Sequence, residues 1–221
     1  MKKILLLLVL VLGLSVGVAY AAEGDAGAKG IQERTNVILQ DDSGAASKLP
    51  RVMVLYVNNA KTDYNAEIDT KIMDHLKQLA TNRWVLVPGD LCKDKLASMG
   101  IQSFTMAERA DILSAAKDSE TDAILLVEVE PFNVRDVMTF FTVGKKVTTS
   151  IPVKAIDKNT GLYVYNGKFV EMGQDNTMVG GIGNKSVIMK ALDQFLVKFD
   201  DTIPAKLVTV KRADKAAGAS N

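Results

Sequence analysis

An α/β fold built on a mixed sheet is what this sequence predicts. Strand–helix–strand units come first, then an antiparallel meander, then a C-terminal helix. Three observations carry that expectation. Between residues 51 and 130, short apolar β-prone runs alternate with stretches of helical periodicity. From Val134 onward the pattern switches to period two. Near residue 185 it returns to a single helical stripe.

The elements follow in order. Arg51–Val57 is almost continuously apolar and ends at Asn58-Asn59, which suits a strand buried on both faces. Ala66–Ala80 repeats Ile68, Ile72, Leu76 and Leu79 at helical spacing, with Asp63 or Asn65 as its cap. Arg83–Val87 is a strand stopped by Pro88-Gly89, and Asp90 opens a short helix ending near Gly100. Thr105–Glu108 has the capping-box pattern of a third helix with Ala110 and Leu113 inward. Ala123–Glu130 is a strand whose apolar start and alternating end suggest emergence from the core.

The meander comprises Val134–Val143, Val147–Ile156 and Leu162–Glu171. Gly144-Lys145 and Asp157–Gly161 have the composition of its turns. Gly161 is expected at positive φ, so Gly161→Val should destabilise, whereas Lys158→Ala should be nearly neutral. Gln174–Asn184 reads as a glycine-rich loop. The last helix, from Lys185 to about Asp200, carries Val187, Ile188, Ala191, Leu192, Phe195 and Phe199 on one stripe.

The N-terminus reads as an export signal. Met1-Lys2-Lys3 is basic, Ile4–Val18 is almost wholly aliphatic, and Ala19-Tyr20-Ala21 offers small residues to a signal peptidase. Cleavage is expected between Ala21 and Ala22; a retained membrane anchor is the competing reading. The only cysteine is Cys92, so the lipoprotein cleavage motif is missing at that site. The expected organisation is a signal peptide over 1–21, a flexible leader over 22–49 and one α/β domain over 50–210. A disordered tail completes it over 211–221. Within the leader, Ile31–Gln40 reads as a short strand.

The whole chain of 221 residues has 27 basic and 26 acidic side chains. Loss of Lys2 and Lys3 brings the mature chain close to −1. That balance argues against nucleic acid as a partner and against membrane insertion once the signal is cut. A lone cysteine cannot close an internal disulfide. Cys92 is read as a buried thiol, with a redox or intermolecular role as the alternative.

Candidate chemistry is sparse. Gly180-Gly181-Ile182-Gly183-Asn184-Lys185-Ser186 resembles a phosphate cradle only loosely, since Asn184 stands where a P-loop needs glycine. His75 is the only histidine, which excludes multi-histidine metal sites; packing at a stripe edge explains it. Carboxylates pair at Asp41-Asp42, Glu128/Glu130 and Asp200-Asp201. Glu128 and Glu130 share a strand face, where they would suit a two-carboxylate hydrolase or a solvated strand end. Tyr163 and Tyr165 are expected to share a face with Phe169, as a packed sheet face or a small recognition platform. No metal or cofactor is expected.

Ala110–Val129 runs from a helix through Asp122-Ala123 into a strand. Later come Val153–Gly161, with its D-x-x-T-G turn, and Tyr163-Val164-Tyr165-Asn166-Gly167. Together these resemble a bacterial envelope group. It includes the curli-secretion lipoprotein, the penicillin-binding-protein activator lipoproteins and the amino-terminal domain of the Tol-system β-propeller. The resemblance covers most of residues 50–200. It implies an anticodon-binding-domain-like α/β fold and a non-enzymatic role in binding an envelope protein; it carries over no catalytic residue. The expected function is thus an exported accessory module acting by protein contact, with Tyr163 and Tyr165 as partner contacts. The alternatives are a periplasmic small-molecule binder using residues 180–183, and a carboxylate hydrolase.

Overall fold

The structure, a computed structural model, describes residues 49–178 and 180–212. The signal segment with Ala21 and Ala22, the leader as far as Lys48, and the tail from Ala213 lie outside the described residues.

The elements are β1 (Arg51–Asn58), α1 (Asn65–Ala80), β2 (Val85–Pro88), α2 (Asp90–Ser98), α3 (Arg109–Ala115), β3 (Ala123–Val129), β4 (Asn133–Met138), β5 (Val143–Asp157), β6 (Leu162–Thr177) and α4 (Asn184–Leu207). β1 pairs in parallel with β2 and β3, and every other pairing is antiparallel. β6 pairs with β5 along the whole of β5. β3 and β4 therefore share the opposite edge of β5, at Val153–Asp157 and Val143–Thr148 respectively.

Helices sandwich the part of this sheet built on β1 and β3. On one face, Val52, Leu125, Val127, Ile151 and Val153 pack against Ile68, Ile72 and Leu76 of α1 and against the α4 stripe. Phe169, Phe195 and Phe199 interlock there, with Phe195 edge-on to each neighbour at 5.5 Å. On the other face, Met53, Leu55, Ile124, Leu126 and Ile156 meet Cys92 and Leu96 of α2 and Ile112 and Ala115 of α3. Because both faces of β1 and β3 are covered, these strands have no polar side, as expected of parallel strands under helices.

Several expectations need correction. The third helix starts later than Thr105: Glu108 is its cap, and the Glu108 N–H donates to Asp111 at 3.0 Å. That three-residue shift turns Ile112 and Ala115 inward, leaving Ala110 exposed and Leu113 half-buried. Asn65 is the first helical residue of α1, and its carboxamide oxygen accepts from Thr62 instead of capping. β3 does not emerge from the core, since every residue from Ala123 to Val129 is buried. Gly144 lies within β5 opposite Val137 and Asn176, and the turn is formed by residues 139–142. α4 runs past Asp200 and through Pro204 to Leu207.

Asp122 and the Asp157–Gly161 turn act together. The Asp122 carboxylate accepts the Arg51 N–H at 2.7 Å, and its carbonyl accepts the Lys158 N–H at 2.9 Å. In the turn, Asp157 accepts from the N–H groups of Asn159 and Thr160, and Gly161 has φ +69° as expected. Lys158 is not a bystander: its ammonium donates to the carbonyls of Lys117 and Ser119 and to the Ser119 hydroxyl. The aspartate-alanine entry and the D-x-x-T-G turn are thus one junction joining β1, β3 and β5.

Candidate functional site

Past the end of β3, the sheet narrows to a ribbon of β4, β5 and β6. α4 covers one side. There Val134 and Val147 face the core, and Gly173 lies so close to α4 that a Cβ would sit 1.9 Å from the Val187 carbonyl oxygen. The other side carries Asn133 and Arg135 from β4, Thr148 and Ser150 from β5, and Lys168, Val170, Met172 and Gln174 from β6. No described helix packs over this strip, and Val170 is 57% exposed. The outer edge of β6 has no strand partner among the described residues, so it offers backbone donors and acceptors along its length.

Tyr163 and Tyr165 sit at the start of β6, but not on one face. Ala155 is opposite Tyr165 while the next residue, Ile156, is opposite Tyr163, so Val164 is bulged out of register. A bulge reverses the alternation. Tyr163 therefore packs toward the α2–α3 layer, and Tyr165 lies on the α4 side, stacked on Phe169 at 5.7 Å. Both are half-buried, and burial pushes both phenols up in pKa. The shared platform expected from their spacing does not form; the bulge has no marker in the residue pattern.

Glu128 and Glu130 do share a face, yet each is committed elsewhere. Glu128 is only 3% exposed. It accepts from Asn59 at 2.8 Å, from the Ser103 hydroxyl at 2.9 Å and from the Thr105 N–H at 3.1 Å. Lys154 reaches across the same loop to the carbonyls of Phe104, Thr105 and Ala107. Burial of that ammonium lowers its pKa, and the Glu128 charge opposes the shift. The pair staples residues 103–107 onto the sheet. Glu130 accepts from the Ser150 hydroxyl and lies 3.8 Å from Lys168. Sequence reasoning missed Asn59, Ser103 and Thr105, which stand 69, 25 and 23 residues from Glu128 with no local signal.

The glycine-rich loop opens outward. Added Cβ atoms at Gly180, Gly181 and Gly183 would meet nothing within 4 Å. Its Lys-Ser pair is engaged: Lys185 bonds Glu67 at 2.7 Å and sits over the Tyr64 ring, and Ser186 donates to Asp175. His75 does have a partner, Asp200 on α4 at 2.7 Å, in a cleft of about 420 Å³ between α1 and α4. With Lys71–Asp193 at 2.6 Å alongside, this is a polar seam between two helices. Cys92 is buried on α2, and burial raises its thiol pKa against the opposing pull of Lys95 and Lys158. Among the described residues no group of three or more acidic, histidine or cysteine side chains could hold a metal ion. No described helix is long and apolar enough to cross a membrane.

No family model matches the chain, and no curated protein does. Solved structures of similar trace include the lipoprotein GNA1162 from Neisseria meningitidis, at 10% identity over 67% of this chain and 99% of that one, with a TM-score of 0.38. The hypothetical protein CT253 from Chlamydia trachomatis is 9% identical over 72% and 98%, with a TM-score of 0.47. LpoB from E. coli is 11% identical over 72% and 85%, with a TM-score of 0.36. Bacterial lipoproteins, LpoB among them, are thus present among these neighbours at low identity.

Proposed function

We propose that this chain is an exported accessory protein of the bacterial cell envelope that works by holding another protein, without turnover. The open strip of the β4–β5–β6 ribbon, bounded by the unpaired edge of β6, is the observation that carries this reading. An extended segment of the partner adds beside β6 through backbone hydrogen bonds, while Val170 and Met172 supply apolar contact. Tyr163 and Tyr165, on opposite faces of the same edge strand, would flank such a segment from both sides. The export signal and the envelope-group resemblance support the compartment. The commitments of Glu128, Glu130, Lys185 and Ser186 favour contact over the hydrolase and small-molecule readings.

A photo-crosslinker at position 170, in cells carrying the exported protein, should trap one defined envelope protein. Val170→Asp with Met172→Asp should abolish the adduct and leave the melting temperature unchanged, since both side chains are exposed. Saturable turnover by the purified protein that Glu128→Gln removes would refute the reading.

A further inference from the structure

The β4–β5 hairpin ends in Met138-Thr139-Phe140-Phe141-Thr142-Val143. Phe140 is 101% exposed and Phe141 84%, and Met138, Val143 and Met178 beside them are exposed as well. Soluble surfaces scatter single apolar residues; a cluster of this kind at a protruding tip marks a contact. We propose that this tip dips into an anionic lipid surface, which reverses the expectation from net charge, because net charge does not register a local apolar tip beside a basic pair. The tip lies beyond Val170 and Met172 at the far end of the ribbon, and the inference does not depend on a partner strand beside β6.

Three observations choose lipid over a protein groove. Phe140 and Phe141 stand in the turn itself, past the last paired residues Met138 and Val143, so the apolar end of the ribbon projects beyond its paired faces. A groove covers one side, whereas a membrane interface surrounds the tip. The turn also pairs part of its own backbone: the Thr139 N–H donates to the Thr142 carbonyl at 2.9 Å, and the Thr142 N–H donates to the Thr139 hydroxyl at 3.0 Å. The two threonine hydroxyls lie 2.7 Å apart. Backbone groups leaving water need partners, and the Thr139 and Thr142 N–H groups have them within the turn.

The third observation is charge. Arg135 and Lys146 are direct cross-strand neighbours on the open face. Like charges so placed repel, and anions facing them remove the penalty. The neighbouring acids are already paired: Asp136 with Lys145 at 2.7 Å, and Asp175 with Lys190 at 2.8 Å. The spacing fits too. Met138 and Val143 lie two to three residues behind the turn centre, about 8 Å at the rise of a strand. That matches the depth of roughly 5–10 Å to which interfacial segments bury their apolar groups. The long Arg135 and Lys146 side chains then lie at the level of the lipid phosphates.

Flotation of the exported protein with vesicles of phosphatidylglycerol and phosphatidylethanolamine, and with neutral phosphatidylcholine vesicles, tests this. The wild type should float with the anionic vesicles, and less so as salt rises. Phe140→Ser with Phe141→Ser should lower the partition by about tenfold or more, given the apolar area each ring withdraws from water. Arg135→Gln with Lys146→Gln should weaken binding to anionic vesicles only. In Phe140→Trp, the new indole should blue-shift on adding anionic vesicles. A wild type that stays behind, a Phe-pair variant that floats equally, or an unshifted indole each overturns the proposal. So does a Phe pair needed for a protein crosslink but not for flotation.

Discussion

The two halves of the sheet are built on different rules. β3 is buried at all seven positions, Glu128 included, and reads from sequence as an apolar run. β6, more than twice as long, alternates exposed and buried residues through Phe169, Glu171 and Gly173. The first half has helices on both faces, so its side chains answer only to packing. The ribbon has α4 on one face and no described helix on the other, so half its side chains are free of packing against a helix. A partner can act on those residues without unfolding the core, and they include Val170 and Met172. The seven buried positions of β3 have no such latitude.

The covered face of the ribbon should nonetheless be as intolerant as the core. Gly173→Ala would place a Cβ 1.9 Å from the Val187 carbonyl oxygen and 2.8 Å from the Ala191 nitrogen. Backbone on both sides cannot yield as a side-chain tip can, so α4 must shift away from β6. A loss of about 3 kcal/mol or more is expected in denaturant melts. A variant as stable as wild type would show that α4 does not clamp the ribbon, and the distinction between its two faces would fail.

The junction between the halves should respond less strongly. Lys158→Ala removes the ammonium shared by the Lys117 and Ser119 carbonyls and the Ser119 hydroxyl. Stranding those acceptors should cost about 1–2 kcal/mol. Burial of this ammonium lowers its pKa, so charging it in the fold already carries a desolvation cost that offsets part of the gain. Gly161→Val, which forces a branched residue to φ +69°, should cost a comparable ~1–3 kcal/mol. A neutral Lys158→Ala would reduce the junction to its turn alone.

Legibility in the sequence follows the same division. β1, α1 and the α4 stripe could be read because an apolar run or a helical period reports which residues enter the core, and each of these elements sends a set of them there. The Asp157–Gly161 turn could be read because only glycine takes its φ without strain. What escaped depends on pairs distant in sequence or on single insertions. The Val164 bulge moved Tyr163 to the opposite face from Tyr165, and no residue type announces a bulge. The Glu128–Ser103–Asn59 network joins three segments whose proximity exists only after β1 and β3 pair. His75 found Asp200 only because α1 and α4 lie side by side. The open strip could not be located either, since alternation tells that a strand has two faces but not which one a helix will cover.

The smallest expected effect lies in the fully covered half, at Cys92. Its thiol is buried against β1 and β3 and is held above its ordinary pKa of 9.0 chiefly by that burial. The folded state therefore resists ionisation that the unfolded chain accepts. The resulting stability is fully present below about pH 9 and is lost as pH rises from the unfolded pKa through the folded one. Lysine and tyrosine groups titrate in the same range, so the comparison must be with Cys92→Ala, in which only this contribution is missing. Between pH 8 and pH 10, the wild type should lose more stability than the variant, by under about 1.4 kcal/mol per pH unit climbed above the unfolded pKa. Equal slopes, or rapid alkylation of the native thiol at pH 8, would mean that the α2 layer opens readily. The difference between the two halves would then be one of degree rather than of construction.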